Sequence, residues 1–526
     1  HHKHAETQRA GYVYLLMAGF GTMALLLAFG LLAGSDGGYG FDAIRAASRS
    51  SVVNATVLAL MLLGAGSKAG IAPLHVWLPL AHPAAPSHVS ALMSGVMTKV
   101  AIYGFIRVVF DLLGPLDWSL SPWVILLGAL TAVLGILLAM MERDLKRALA
   151  YSTIENIGVI FAALGLAMAF RSNGMIAAAA VAFSAAMFHV FNHMTFKSLL
   201  FMGAGAVQKA TGTRDLDQLG GLIHRLPVTS VLMLIGAVAI SALPPLNGFA
   251  SEWLLFQAVL LSPDIPQAAL QYLIPAAGGL LALAAALAAA AFVRIYGIGF
   301  LGRGRSQGAR AAVEVDRFSL FGMGIFAALS VLAGIFPGVV LDLLSPMVDA
   351  VLGGKLPTQS AQPWLTIVPI EQSRSSYNGL LVMIFVGLSA SLAAWAVHRF
   401  ASRAVRRAEA WDCGYPRADF GGALAGEAVT QYSASGFAQP IRRILGSDIL
   451  AAHEVVTMPE PGDLAPAHLS VHVADPFWER LYTPIGRAVI AISSRMNRLQ
   501  FLTIRRYLGL VFLSLVLLLL GLLIWF

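Results

Sequence analysis

Four ionisable residues stand inside long apolar runs of this sequence: Lys68, Lys99, Lys197 and Glu252. An ammonium in hydrocarbon costs at least about 2.5 kcal/mol, so a charge kept there is rare and usually faces a polar pathway inside a helix bundle. Around Lys68 the stretch GAGSKAGIAPLHVWLPLAHPAAPSHVS sets Gly64, Gly66, Gly70 and Pro73 against regular helix, so the charge sits at a break. Lys99 lies mid-way along the next apolar run, from Val89 to Val109. The segment ALPPLNGFASEWLLFQ repeats the arrangement, with Pro244, Pro245 and Gly248 interrupting a helix just before Glu252. Between the two breaks, FHVFNHMTFKSLLF places His189, His193 and Lys197 at four-residue spacing, which in a helix stacks three protonatable groups over about 12 Å. Such a set suits a proton relay. The same pattern also describes two core histidines hydrogen-bonded to neighbours beside a lysine that snorkels. Zinc at the two histidines would need a third ligand that the sequence does not name, and no metal or cofactor site is read in this chain.

The elements that must position these groups are membrane helices. The 526 residues are 58% hydrophobic and only 12% charged, far below the roughly 25% charged of soluble domains. The sequence predicts an all-α polytopic membrane protein with eleven crossings, over 11–34, 51–81, 87–113, 121–141, 149–170, 174–207, 226–262, 273–301, 317–345, 378–399 and 507–526. The second and seventh are longer than one span needs and carry the Gly/Pro breaks, so each is expected to be one discontinuous helix. Lys68 and Glu252 then occupy matching places in breaks entered from opposite sides, the pattern of an inverted-topology repeat.

Twelve Lys or Arg fall in loops on one side: Lys3, Arg9, Arg143, Lys146, Arg147, Lys209, Arg214, Arg225, Arg303, Arg305, Arg310 and Arg317. Five fall on the other: Arg45, Arg49, Arg171, Lys355 and Arg374. This bias puts the start of the chain in the cytoplasm and Phe526 outside. The formal charge of +8 is accounted for by these loops and one late segment, as topology and headgroup contacts rather than nucleic-acid binding. The single cysteine, Cys413, excludes an internal disulfide. The opening HHKHAETQRAG has no leading apolar run, and the sequence is expected to continue upstream of it.

Other polar residues have plainer readings available. Glu142, Asp144, Lys146 and Arg147 fall in a short loop, as a solvated cluster that also suits a proton entrance. His75, His82 and His88 flank prolines, either as loop histidines or along an access path. Glu155, in YSTIENIG, is read near a helix start, where the helix dipole favours a carboxylate without any function. From Arg399 to Arg506 the chain carries thirteen Arg, no Lys and ten Asp or Glu, which reads as a cytoplasmic segment. Within it Trp478, Leu481, Ile485, Val489, Ile492, Met496 and Leu499 form an apolar stripe between Arg480, Arg487, Arg495 and Arg498, an amphipathic helix expected to lie along the membrane or a partner subunit.

GSKAGIAPLHVWLPLAHPAAPSHVSALMSGVMTKVAIYG, RDLKRALAYSTIENIG and FHVFNHMTFKSLLFMGAGAV together resemble the proton-translocating antiporter-like subunits of complex I, Mrp antiporters and energy-converting hydrogenases. WDCGYP and QYSASGFAQPIRRILG resemble the hydrogenase-4 component B and formate hydrogenlyase branch. The resemblance implies a relay through Lys68, Lys99, His189, His193, Lys197 and Glu252; His75, His82, Glu142 and Asp144 are read from the residues themselves as a possible access path. It implies that 1–113 is the remainder of one antiporter-like repeat, that 121–301 is a second and that 317–399 adds further transmembrane helices. The segment 400–506 is then the cytoplasmic part with a lateral amphipathic helix, and 507–526 is a last span. About five helices and a glutamate partner for Lys68 are implied upstream. The function implied is proton translocation in a bacterial or archaeal cell membrane, coupled to electron transfer by other membrane subunits and a peripheral redox arm carrying NiFe or iron–sulfur centres. The alternative is an autonomous Mrp-type cation/proton antiporter.

Overall fold

A backbone in hydrocarbon must satisfy its own hydrogen bonds, so the apolar runs have one form open to them, the helix. In this computed structural model the described residues are 5–526 except 35–36, 371–374, 402–430, 447–448, 451, 464–466, 498–502 and 526. The helices run α1 (Ala5–Ala33), α2 (Phe41–Ala46), α3 (Ser51–Ala69), α4 (Leu78–Ala84) and α5 (Ser87–Leu92), which passes through a widened turn at Met93–Met97 into α6 (Thr98–Ile106). Next come α7 (Ser121–Met141), α8 (Leu145–Ser172), α9 (Ile176–Thr211), α10 (Pro227–Ile240), α11 (Asn247–Val259) and α12 (Ala268–Phe300). Then follow α13 (Gln307–Ala311), α14 (Arg317–Ile335), α15 (Pro337–Leu352), α16 (Gly379–Phe400) and α17 (Ala434–Leu445). Strands β1 (His453–Thr457) and β2 (His468–His472) pair antiparallel, and α18 (Thr483–Met496) and α19 (Ile504–Trp525) end the chain. That hairpin, which the sequence reading did not anticipate, is the one departure from helix among the described elements.

Ten helices are long and apolar enough to cross a membrane among the described residues. They coincide with ten of the eleven expected crossings. The remaining one, 226–262, is two helices of 14 and 13 residues, α10 and α11. The run 317–345, read as one crossing, stops at Ile335 and restarts at Pro337. Proline supplies no amide hydrogen and pushes the residue before it out of helical geometry, and Phe336 stands at φ −117°, ψ 50°.

The centre of the bundle is α8. From Leu145 to Phe170 only Arg147 among its residues is not buried, and it packs on α7, α9, α4 and α12. Small residues permit the closest of these contacts. A Cβ on Gly158 would stand 2.4 Å from the Ala132 nitrogen, and one on Gly128 would stand 2.3 Å from the Ala162 nitrogen. The α7 and α8 backbones touch through glycine and alanine, as membrane helices commonly do.

Both interruptions read from sequence fall where helix stops. After α3, Gly70 takes φ +94°, a left-handed value suited to glycine, and the chain turns through Pro73 before α4 begins at Leu78. After α10 the chain turns through Ala242, Pro244 and Pro245, and α11 begins at Asn247. A Cβ on Gly248 would stand 1.9 Å from the Ala239 carbonyl oxygen, so the second turn also depends on a close backbone approach.

Loop contacts sort into two ends. At one end, Arg143 pairs with Asp215 at 3.1 Å, Arg214 with Asp144 at 3.1 Å and Lys209 with Asp316 at 3.2 Å. At the other, Arg45 pairs with Asp111 at 2.8 Å, and Arg171 donates to the Phe110 carbonyl at 2.6 Å. The chain forms two compact units, His1–Ile441 and Arg442–Phe526. In the second, Arg442 pairs with Glu454 of β1 at 2.8 Å, and no residue of α18 is buried. Lys3, Arg374, the WDCGYP stretch with Cys413, and Arg498 and Leu499 of the apolar stripe lie outside the described residues.

Candidate functional site

The three rungs of α9 bond to different neighbours rather than to one another among the described residues. Four helical residues advance about 40° beyond a full turn, so rungs at this spacing wind gradually around the helix. His193 meets Lys99 of α6, with Nζ 2.5 Å from Nδ1. Lys197 donates to the Leu149 carbonyl at 2.9 Å and to the Ser152 hydroxyl, both on α8. His189 lies between α8 and α11, with Nε2 3.1 Å from Asn156 Oδ1 and Nδ1 3.0 Å from Ser251 Oγ. Ser251 precedes Glu252, which is half-buried.

Lys99 owes its position to the widened turn at Met93–Met97, a departure from regular helix common at functional sites. The Ser94 carbonyl accepts from the Thr98 hydroxyl at 2.9 Å and from Lys99 Nζ at 2.5 Å. Ser94 Oγ reaches Thr153 of α8 at 2.8 Å. The stretch Ser152, Thr153, Glu155, Asn156 therefore ties α8 to the surroundings of Lys99, Lys197 and His189. A second net fixes the start of α11: Asn247 donates to Asn192 Oδ1 at 3.1 Å and Thr195 Oγ1 at 2.9 Å, and Asn192 donates back to the Asn247 carbonyl at 2.8 Å. Lys68, in the last turn of α3, is half-buried, donates to the Tyr14 hydroxyl at 2.7 Å and lies over the Tyr14 ring at 4.6 Å.

The family model described as NADH:quinone oxidoreductase/Mrp antiporter, transmembrane, matches residues 1–271. The chain is 36% identical over 520 residues to Hydrogenase-4 component B of Escherichia coli (strain K12), an alignment covering 97% of this chain and 75% of that one. The chain belongs to this antiporter-like family. It is 32% identical over 441 residues to Formate hydrogenlyase subunit 3 of the same organism, covering 83% of this chain and 68% of that one. A subunit in the structure of the membrane-bound sulfane sulfur reductase, an archaeal respiratory membrane complex, shares its fold with a TM-score of 0.72 at 23% identity, covering 99% of this chain and 77% of that one.

Within this antiporter-like chain, five of the six residues expected to form the relay lie along one connected region: Lys99, His193, Lys197, His189 and Glu252. Lys68 stands apart with Tyr14 and Trp77. Of the access-path residues, His75 and His82 are buried and His88 is exposed. His82 stacks on Phe201, one turn beyond Lys197, with centroids 4.7 Å apart. The group from Glu142 to Arg147 is not a solvated loop. Asp144 caps α8 by accepting the Lys146 and Arg147 amides, and Lys146 is 2% exposed and donates to the Ala85 carbonyl at 3.0 Å. Burial holds the Glu142 carboxyl above its usual range, opposed by Arg147 at 3.1 Å. Among the described residues no group of three or more His, Cys, Asp or Glu is arranged to hold a metal ion.

The crossing expected over 149–170 is α8, but the polar run inside it was not expected to matter. Glu155 is not near a helix start; α8 begins at Leu145, and Glu155 sits in its third turn, 1% exposed. The signal was the run STxEN inside an otherwise apolar helix. Arg294 of α12 was also missed. It is 1% exposed and donates to the carbonyls of Ala139, Glu142 and Ala434, joining the end of α7 to α17.

Proposed function

We propose that this chain is a proton-translocating membrane subunit of a hydrogenase-4- or formate hydrogenlyase-like respiratory assembly, with protons relayed through Lys68, Lys99, His193, Lys197, His189 and Glu252. The observation that carries the reading is the buried polar line from the Lys99–His193 contact through the α8 side chains to Ser251, which immediately precedes Glu252. Four bonded links, each between 2.5 and 3.1 Å, join α9 to α6, α8 and α11. A proton added at one of these groups disfavours charge at the next, so loading and release are coupled electrostatically. Electron transfer, with its NiFe or iron–sulfur centres, belongs in this reading to partner subunits of a peripheral arm. The two interruptions form the hinges of two broken spans in related repeats, within 1–113 and 121–301. His75, His82, Glu142 and Asp144 line access from the basic end, which faces the cytoplasm, and Phe526 is outside. The cell membrane is bacterial or archaeal.

Lys197→Ala in the whole assembly, reconstituted in vesicles, tests the relay: translocation is expected to fall by at least about a hundredfold, the effect of removing a general acid–base group. Unimpaired translocation overturns it. The family description favours one rival, an autonomous cation/proton antiporter. That rival requires sodium- or potassium-dependent proton exchange by vesicles lacking every redox partner.

A further inference from the structure

Glu155 and Asn156 are polar, buried and outside the relay as read from sequence. Glu155 is 1% exposed and Asn156 is 2% exposed, on the most enclosed helix of the bundle. A carboxylate there requires specific partners, because desolvation of an unpaired charge is far costlier than any single neutral hydrogen bond returns.

The hydrogen atoms along this line can be placed from donor and acceptor chemistry alone. Asn156 Nδ2 lies 2.8 Å from the Ser152 carbonyl and 2.7 Å from Glu155 Oε2. A backbone carbonyl only accepts, so the amide nitrogen faces both, and the amide oxygen faces His189 Nε2 at 3.1 Å. That oxygen also only accepts, so Nε2 carries a hydrogen. In the neutral ring Nδ1 is then an acceptor, and the Ser251 hydroxyl donates to it at 3.0 Å. Donation runs one way, from Ser251 to His189 to Asn156 to Glu155. When His189 gains a second proton, Nδ1 donates instead, the Ser251 oxygen accepts, and its hydrogen turns to the Gly248 carbonyl at 3.1 Å. Gly248 is in the first turn of α11, just after the second interruption. On the other side, Ser152 bonds to Lys197 and stands three residues before Glu155, about 4.5 Å along the helix axis. At the other end of this line, Ser251 immediately precedes Glu252.

We propose that Glu155 is a proton-carrying member of the relay between Lys197 and Glu252, and that Asn156 couples its charge to the protonation of His189. The inference rests on the relay reading of Lys197. In the loading step an N–H bond of the Lys197 ammonium breaks and an O–H bond forms on Glu155, turning a +1/−1 pair into a neutral amine and a neutral acid. The proton stands on Oε1, because Oε2 is held as an acceptor by Asn156. In the release step that O–H bond breaks and one forms on the Glu252 carboxylate. The charge returned to Glu155 strengthens its bond from Asn156, and through the amide oxygen it stabilises an added proton on His189.

The test uses the whole assembly in vesicles, comparing Glu155→Gln, Glu155→Asp and Lys197→Ala for proton translocation and for the carboxylic C=O infrared band that responds to deuterium exchange. Glu155→Gln keeps shape and hydrogen bonding but removes the proton site. It is expected to lower translocation at least about tenfold and to remove one carboxylic band, while Glu155→Asp shifts that band and recovers part of the rate. If Lys197→Ala abolishes translocation and Glu155→Gln does not, the role of Glu155 is overturned and the relay reading stands. If neither abolishes it, both fall. Should Glu155→Gln fail to assemble, Glu155→Asp decides: a shifted band supports the role and an unchanged spectrum overturns it.

Discussion

Lys68, Lys99 and Lys197 each donate to neutral acceptors: the Tyr14 hydroxyl, the Ser94 carbonyl with His193, and the Leu149 carbonyl with Ser152. A hydrogen bond to a carboxylate is roughly twice as strong as one to a neutral group, and would hold the proton more firmly. Neutral acceptors leave the charge incompletely compensated. Arg294 shows the opposite use of a buried cation. A guanidinium does not release its proton in proteins, and here it fastens three backbone carbonyls. The asparagines serve position rather than charge. Asn247→Ala would leave Asn192 Oδ1 and Thr195 Oγ1 short of a donor, at about 1–3 kcal/mol. We expect a lower thermal midpoint of the purified protein, with Asn247→Asp in between; an unchanged midpoint for the alanine variant would show that the start of α11 is held by something else.

Element geometry sets what those residues can reach. The α7 and α8 backbones approach through Gly128, Ala132, Gly158 and Ala162, and Gly135 lies against the Glu155 amide, where a Cβ would be 2.5 Å from the nitrogen. Had larger side chains separated these helices, α8 would not bring Ser152, Thr153 and Asn156 within hydrogen-bond reach of three partners at once. Gly158→Leu forces side-chain atoms onto α7 backbone and is expected to cost several times the roughly 1–3 kcal/mol of ordinary overpacking. Gly279→Ala, on α12 with nothing within 4 Å of a new Cβ, is the matched control. Detergent extraction followed by size-exclusion chromatography should recover the second and lose most of the first. Equal recovery would mean that the close approach does not govern the fold.

For the molecule as a whole, orientation in the membrane is the property most open to direct measurement. The segment at Gln431–Ala434 is bound to the basic end of the first unit: Ala434 donates to Asp217 at 2.6 Å, and Arg305 donates to the Tyr432 carbonyl at 2.6 Å. In the proposed orientation, which follows the positive-inside bias, that end faces the cytoplasm. With Cys413 replaced, Ser494→Cys on the polar side of α18 and Asn497→Cys just after it are expected to react with an impermeant thiol reagent from the cytoplasm. Ile485→Cys and Ile492→Cys are expected to be protected by lipid or a partner subunit. Reaction from outside would invert the topology, and equal reaction of all four would remove the membrane-parallel placement of α18.

The sequence by itself determined which stretches are helices and where two of them stop, because apolar length and the backbone limits of glycine and proline are local properties. The lysine and glutamate positions were equally legible, since a charge in an apolar run stands out without knowledge of its neighbours. The break in 317–345 is also written locally, in Phe336–Pro337, although the apolar run continues through it. Tertiary structure alone decided the rest. The spacing of His189, His193 and Lys197 suggested a single ladder, yet His193 meets α6, Lys197 meets α8 and His189 meets α8 and α11, and no local pattern encodes which helix faces which rung. Glu155 looked like a helix-start carboxylate because its burial depends on α7, α9 and α12 closing around α8. Burial and pairing are sums over chain segments distant in sequence, and they turned an STxEN run given only a helix-start reading into the polar centre of the protein.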